Sequence, residues 1–122
     1  MSTLRVDTIQ NAAGTDSPIN VPGTAKAWVN FNGTGTVAIR ASYNVSSITD
    51  NGTGDYTVNF TTAMADANYT VVTSSDRQGG DCFNTNGSAA APTSSGIRLQ
   101  AYGRSDTFTA VDITYANVAI FR

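Results

Sequence analysis

The side chains that could do chemistry in this chain are mainly carboxylates, since the 122 residues include nine acidic residues and no histidine. Without histidine, a Ser-His-Asp triad, a Cys-His pair and an imidazole general base are all excluded. Two aspartates facing each other across a cleft could still hydrolyse a glycosidic bond. Most aspartates, however, stand beside Gly, Asn or Ser, where such a side chain commonly bonds the backbone of its own turn. These turn candidates are Asp16, Asp50, Asp55, Asp66, Asp76, Asp81 and Asp106. We therefore expect no enzymatic activity.

The sequence offers few ligands for a metal or cofactor. Cys82 is the only cysteine, so it cannot form an intrachain disulfide, and the lack of histidine excludes a Cys/His zinc site. Calcium accepts mixed carboxylate, amide and carbonyl oxygens. The residues that could supply them are Asp50 with Asn51 and Asp55, or Asp76 with Asp81, Asn84 and Asn86. Neither set has the spacing of a calcium-binding loop, and we expect no cofactor.

Charge and hydropathy argue against two classes of partner. The formal net charge is -2, and the basic residues are scattered singly among aspartates. A surface that tracks phosphates needs clustered positive charge, so we expect no nucleic-acid partner. No apolar run approaches membrane-spanning length, and the N-terminal residues lack the regions of a cleaved signal peptide. We therefore expect no membrane insertion, and synthesis in a cytoplasm without signal-dependent export.

Short alternating segments separated by turn residues indicate an all-β fold. Asn51-Gly52 is typical of a hairpin turn, so the strands beside it should pair antiparallel. The last segment changes parity, which predicts a bend near residues 116–117 and places Asp112 on the solvent face of a strand. The predicted strands are residues 27–32, 36–40, 42–48, 55–60, 69–74, 96–102 and 109–122. About seven strands of this kind predict an antiparallel β-sandwich or jelly-roll-like domain.

The first residues of the sequence predict an extended N-terminal arm. Residues 4–9 alternate apolar and polar side chains, and a Gly-, Pro- and Asn-rich linker follows. We predict an N-terminal arm and linker at residues 1–25 and a β-sandwich domain at residues 26–122. A strand isolated from its own domain needs backbone partners in another chain. Leu4, Val6 and Ile9 are therefore the candidate residues for oligomerisation and for attachment to another protein.

Two further features could form a recognition surface. Residues 76–96 are rich in Gly, Ser and Ala, and a connection of this length is often functional. Its candidate contact residues are Arg77, Asp81, Phe83, Asn84 and Asn86. Aromatic side chains could also form a platform for sugar, although aromatics on strands more often lie in a core or a subunit interface. These aromatics are Trp28, Phe31, Tyr43, Tyr69, Tyr102 and Tyr115.

Two stretches of the sequence resemble virion proteins of tailed bacteriophages, especially those of marine phages. Residues 2–14, STLRVDTIQNAAG, resemble the opening of many phage fibre and structural proteins. The second stretch begins with AWVNFNGT at residues 27–34 and continues through residues 43–52, 55–60 and 67–71. It resembles a domain near the C-terminus of phage tail-fibre proteins. Both are patterns of structural residues without a catalytic signature.

This resemblance implies a tail-fibre-like module for receptor binding or adhesion, acting as a homotrimer. The N-terminal arm would attach to other virion proteins of the tail or capsid, and the β domain would project outward, with a host-surface glycan as a further expected partner. Such a protein would belong to the virion and be assembled in the cytoplasm of the host bacterium. Only residues 10–26 separate the two predicted parts, which is short for a fibre shaft. This favours a compact appendage, either at the tail or on the head. The alternative is a head fibre or capsid decoration (cement) protein that stabilises the capsid, and a carbohydrate-binding module or glycan-degrading enzyme is less favoured.

Overall fold

A computed structural model describes residues 2–3, 23–76, 82–85, 91–103 and 109–122 of the chain. The described residues form eight strands: β1 (Ala25–Asn32), β2 (Ala38–Tyr43), β3 (Val45–Gly52), β4 (Asp55–Phe60), β5 (Thr70–Ser75), β6 (Cys82–Thr85), β7 (Gly96–Tyr102) and β8 (Ala116–Phe121). These ranges include no helix with the length and apolar character needed to cross a bilayer. Leu4, Val6 and Ile9 lie outside the described residues, and the first strand begins at the end of the predicted linker.

The strands form two antiparallel four-stranded sheets, which confirms the predicted β-sandwich. Sheet A has the order β2-β1-β8-β5, and sheet B has the order β3-β4-β7-β6. The hairpin predicted at Asn51-Gly52 joins β3 to β4, and Gly52 takes a positive φ of 136° there. β8 pairs with both β1 and β5, so the C-terminal strand lies inside sheet A rather than at its edge.

The core lies between the two sheets and is built from alternate residues of the four inner strands. In β4, Tyr56, Val58 and Phe60 point inward as the alternation predicts. The Phe31 ring of sheet A meets the Tyr56 ring of sheet B edge-on, with centroids 5.2 Å apart. The other core side chains of these strands are Ala27, Val29, Ile97, Leu99, Ala101, Ala116, Val118 and Ile120. Their transfer out of water is the main force that holds the sheets together.

Asn44 divides the single strand that the sequence predicts at residues 42–48. Its φ of 54° turns the chain out of β2 and sheet A and into β3 and sheet B. The Asn44 side chain donates to the carbonyl oxygens of Lys26 and Thr62 at 3.0 and 3.1 Å and accepts from the Thr62 N–H at 2.7 Å. Asparagine tolerates this left-handed conformation better than most residues, and its amide replaces the interrupted ladder.

The predicted last strand is also shorter than expected, because β8 begins only at Ala116. The residues before it cross one end of the sandwich, where the Gly33 N–H donates to the Ile113 carbonyl at 2.8 Å. Asp112 is therefore not on the face of a strand. Its carboxylate accepts hydrogen bonds from the Gly54 N–H at 2.8 Å and from the Tyr56 hydroxyl at 2.9 Å. The apolar side chains alternate in this segment because the segment covers one end of the core.

The stretch predicted as one long loop at residues 76–96 contains strand β6. β6 pairs antiparallel with β7, with Phe83 opposite Ala101 and Asn84 opposite Gln100. Two of the candidate loop residues, Phe83 and Asn84, thus lie in a strand. Four residues are too few to show an alternation in the sequence, and β6 exists because β7 offers it a ladder of hydrogen bonds.

Candidate functional site

The outer face of sheet A carries large exposed apolar side chains. We call it the contact face and define it by Trp28, Tyr43, Val72, Ala119 and Phe121. The exposed fractions are 40% for Trp28, 54% for Val72, 36% for Tyr43 and 37% for Phe121. The strand register places Trp28 opposite both Tyr43 and Ala119, and Val72 opposite Ala119. Residues opposite each other share a face, so these four side chains form one row across all four strands. Phe121 lies on the same face two positions further along β8.

A groove of about 320 Å³ runs along the contact face. Trp28 and Val72 form its walls, and the small side chain of Ala119 forms the floor between them. The next row of side chains along the sheet contains two amides. Asn30 lies opposite Asn117, and the Asn30 Nδ2 donates to the Asn117 Oδ1 at 2.5 Å. The groove therefore combines an exposed indole ring with a pair of amides, and none of its lining side chains is ionisable.

An exposed cation and ring lie together beside this sheet. The Arg40 guanidinium of β2 lies over the Tyr115 ring, 4.0 Å from its centroid. The N–H of Tyr115 donates to the Asp76 carboxylate at 2.9 Å. The sequence predicts Asp76 as a local turn residue, but its described contact is to a residue far along the chain, just before β8. These contacts hold the entry to β8 in place.

Sheet B presents a different outer face, whose polar side chains bond one another. The Asn59 amide donates to the Ser47 hydroxyl at 3.1 Å and to the Thr49 hydroxyl at 2.9 Å. The Asn51 amide donates to the Thr57 hydroxyl at 2.9 Å. Because these groups already bond one another, the described side chains of β3 and β4 offer a partner few unmet hydrogen bonds on this face.

The prediction for Asp55 is wrong. The sequence predicts a turn residue that bonds its own backbone. Its side chain is instead nearly buried. Arg98 donates to both carboxylate oxygens of Asp55, from Nε at 2.8 Å and from Nη2 at 2.6 Å. The hydrogen bond from Arg98 lowers the pKa of Asp55 below its usual value, and Gln100 adds to this at 3.3 Å while burial opposes it. Asp50, by contrast, accepts from the Gly52 N–H at 3.0 Å, as a turn aspartate should.

These contacts bear on the calcium candidates. In the first set, the carboxylate of Asp55 is already occupied by a guanidinium, so it would have to exchange that partner for an ion. In the second set, Asp81 and Asn86 lie outside the described residues, and for Asn84 only the strand position is described. Within the ranges that the structure covers, no three His, Cys, Asp or Glu side chains come together as a metal site.

Some of the remaining site predictions fall on described residues, and the others fall outside them. Arg77, Asp81 and Asn86 of the candidate loop lie outside the described residues, as do the arm residues, so both predictions stay open. Among the aromatics, the ring of Phe31 is in the core, and the half-buried Tyr69 packs on Phe60 with centroids 5.7 Å apart. An aromatic platform therefore does not form from all six residues.

The groove itself is not indicated by the sequence. The alternation in β1 could have placed Trp28 on the outer side, because its neighbours in the strand are small or apolar. Nothing in the sequence indicates that Val72 and Asn117 lie beside it, since the strand order brings them there. Comparison with family models, curated proteins and solved structures finds no match to this chain.

Proposed function

We propose that this chain is a phage virion structural protein, a tail-fibre-like module for receptor binding or adhesion that acts as a homo-oligomer. The observation that carries the proposal is the difference between the two outer faces of the sandwich. Sheet A exposes Trp28, Val72, Tyr43 and Phe121 in neighbouring positions, whereas the polar groups of sheet B bond one another. Exposed apolar side chains that lie together mark a surface used for binding.

The contact face suits a protein that works by surface contact. The two aspartates with the most elaborate contacts, Asp55 and Asp112, serve as structural partners of Arg98 and Tyr56. A rigid sheet also holds the contact residues in one geometry at little entropic cost on binding. The setting in a virion rests on the sequence resemblance, and the contact face supplies the surface that such a module needs.

Several copies of the contact face on one oligomer would bind a partner more strongly than a single copy. A single sheet face gives a modest binding area, and several copies on one oligomer convert weak contacts into avidity. The predicted means of assembly is the arm, through Leu4, Val6 and Ile9. Light scattering on the purified protein tests this part: a trimer is expected, and a monomer at micromolar concentration would refute assembly.

Adhesion is tested with two matched aspartate variants. Val72→Asp places a charge on the contact face, and Ile39→Asp places the same charge at an exposed apolar position of the same sheet. Ile39 lies opposite Phe31, whose side chain points to the core side, so it is not part of the contact face. Binding of labelled protein to host cells should fall for Val72→Asp and persist for Ile39→Asp. Equal binding by both variants would contradict the proposal.

The second candidate is a head fibre or capsid decoration protein, since the short segment between the two predicted parts fits a compact appendage on the head as well as one at the tail. Antibody labelling of intact particles separates the two: signal on the tail supports adhesion, and signal on the head supports decoration. Particles that lack the protein should adsorb poorly in the first case. In the second they should adsorb normally and lose capsid stability.

A further inference from the structure

We propose that the groove between Trp28 and Val72 binds a neutral saccharide, with one sugar ring stacked on the indole and its hydroxyls bonded to Asn30 and Asn117. This inference rests on the proposed adhesion function and names the chemistry of its receptor. The two walls stand on β1 and β5, one on each side of β8, with only the methyl group of Ala119 between them. Strands two positions apart in a sheet are about 10 Å apart, which leaves room for one flat ring.

The indole of Trp28 supplies the apolar half of the site. Trp28 lies between two core residues of β1, and its backbone is paired with β2 on one side and β8 on the other, so its position is fixed although 40% of the residue is exposed. Val72 faces it with 54% of its surface exposed. A pyranose has an apolar face made of its C–H groups, and that face can lie against an aromatic ring and gain the same dispersion and desolvation energy as other apolar contacts.

The amide pair supplies the polar half. The contact between Asn30 and Asn117 uses one N–H of the first and one lone pair of the second. Two asparagine side chains together hold four N–H donors and two carbonyl oxygens, so most of this capacity remains for a ligand among the described contacts. Adjacent sugar hydroxyls both donate and accept, and they match such a mixed set.

The same amides decide between a sugar and a second copy of the chain. In a dry interface between two copies, the remaining amide groups would be buried against apolar side chains, and an unpaired buried polar group is costly. A saccharide satisfies them while it covers Trp28. The groove has no ionisable lining residue, so a charged sugar would lose its hydration without gaining an ion pair. Its volume of about 320 Å³ is near the lower limit for ligand pockets and suits one or two sugar rings.

The test uses Trp28 as its own reporter, because it is the only tryptophan in the chain. The full-length protein is titrated with the methyl glycosides of glucose, mannose and galactose and with N-acetylglucosamine, with glucuronic acid as the charged comparator. We expect a saturable change in tryptophan emission, at millimolar concentration, for at least one neutral sugar. The side-chain amide signals of Asn30 and Asn117 should shift with the same sugar in nuclear magnetic resonance spectra.

Variants identify the contacts. Asn117→Ala should weaken binding about tenfold, as the loss of a well-formed hydrogen bond does. Trp28→Ala should abolish the amide shifts, and Trp28→Phe should retain part of them because a smaller ring still stacks. Ile39→Ala, at an equally exposed apolar position outside the groove, should bind like the parent protein. Circular dichroism checks that each variant keeps its strands.

Three results would overturn the inference: no response to any neutral sugar, tighter binding of glucuronic acid than of the neutral sugars, or an oligomer that Trp28→Ala dissociates. The last would show that a second copy occupies the groove. Failure of the adhesion function looks different, since the protein would then bind sugar but not host cells. Conversely, cell binding that Val72→Asp removes, without any response to sugars, would keep adhesion and reject the saccharide.

Discussion

The hydroxyl of Tyr56 offers the clearest test in this fold of what a single polar group contributes to stability. Tyr56 is wholly buried, and its hydroxyl oxygen lies 2.9 Å from the Gly33 carbonyl oxygen and 2.9 Å from an Asp112 carboxylate oxygen. Tyr56→Phe deletes this hydroxyl and keeps the ring, so the edge-on contact with Phe31 is retained. The change therefore isolates the hydrogen bonds from the packing of the core.

The size of the effect follows from the two acceptors. A hydrogen bond to a charged group contributes about 1.5–3 kcal/mol and one to a neutral carbonyl about 1 kcal/mol, but a single proton serves both here. Asp112 also keeps its bond from the Gly54 N–H. We therefore expect Tyr56→Phe to lower the free energy of unfolding by about 2 kcal/mol rather than by the sum of the two bonds.

Urea unfolding, followed by tryptophan fluorescence and by circular dichroism, measures this loss. Tyr69→Phe is the matched control, because its hydroxyl also lies 3.0 Å from two carbonyl oxygens but meets no carboxylate. Its cost should be smaller, about 1 kcal/mol. A double-mutant cycle with Asp112→Ala should show coupling with Tyr56→Phe. Equal losses for the two tyrosines, or full additivity with Asp112→Ala, would refute the reasoning.

Three further predictions follow from local chemistry. Asn44→Ala should lower the melting temperature more than Asn44→Gly, because both lose the amide bonds but only glycine accepts the φ of 54° without strain; the reverse order would contradict this. The Arg98 guanidinium lowers the pKa of Asp55, so the stability this pair contributes is present above the usual aspartate pKa of 3.8 and is lost as the pH falls through the folded pKa. Asp55→Asn should flatten that acid limb in urea midpoints, and an unchanged limb would exclude the pair as its source. Burial raises the pKa of Tyr69 from 10.0 to about 12, so its contribution is present below pH 10 and is lost as the pH rises through 12. Ultraviolet titration should show one late-ionising tyrosine fewer in Tyr69→Phe than in the parent protein, because Tyr56, whose pKa burial also raises, is present in both.

The part of the fold that the sequence predicts well is the part with regular alternation. In β4 and β7, one side of the strand is core and the other is polar, and the predicted ranges match the observed ones. The errors occur where the chain changes sheet. At Asn44 the apolar-polar alternation continues from Tyr43 to Val45, although Tyr43 lies on the outer face of sheet A and Val45 lies in the core. Periodicity cannot distinguish that corner from a continuous strand.

The candidate site is harder to predict because its residues meet through long-range pairing. Trp28 and Val72 become neighbours across β8, which comes from the end of the chain. Asp55 shows the same limit, since its neighbours in sequence suggest a turn, while Arg98 reaches it across the β4–β7 pairing. Residue type and spacing indicate what a side chain can do, and strand order decides what it meets.

The two outer faces of the sandwich differ in how much a partner could gain from each. On sheet B, Asn59 and Asn51 already donate to neighbouring hydroxyls, so a ligand there would have to replace existing bonds. On sheet A, Trp28 and Val72 remain in water, and the amides beside them bond only each other among the described contacts. Covering sheet A removes apolar surface from water and adds hydrogen bonds, whereas covering sheet B mainly exchanges them. Whether the partner is a glycan or a protein, it should therefore approach sheet A.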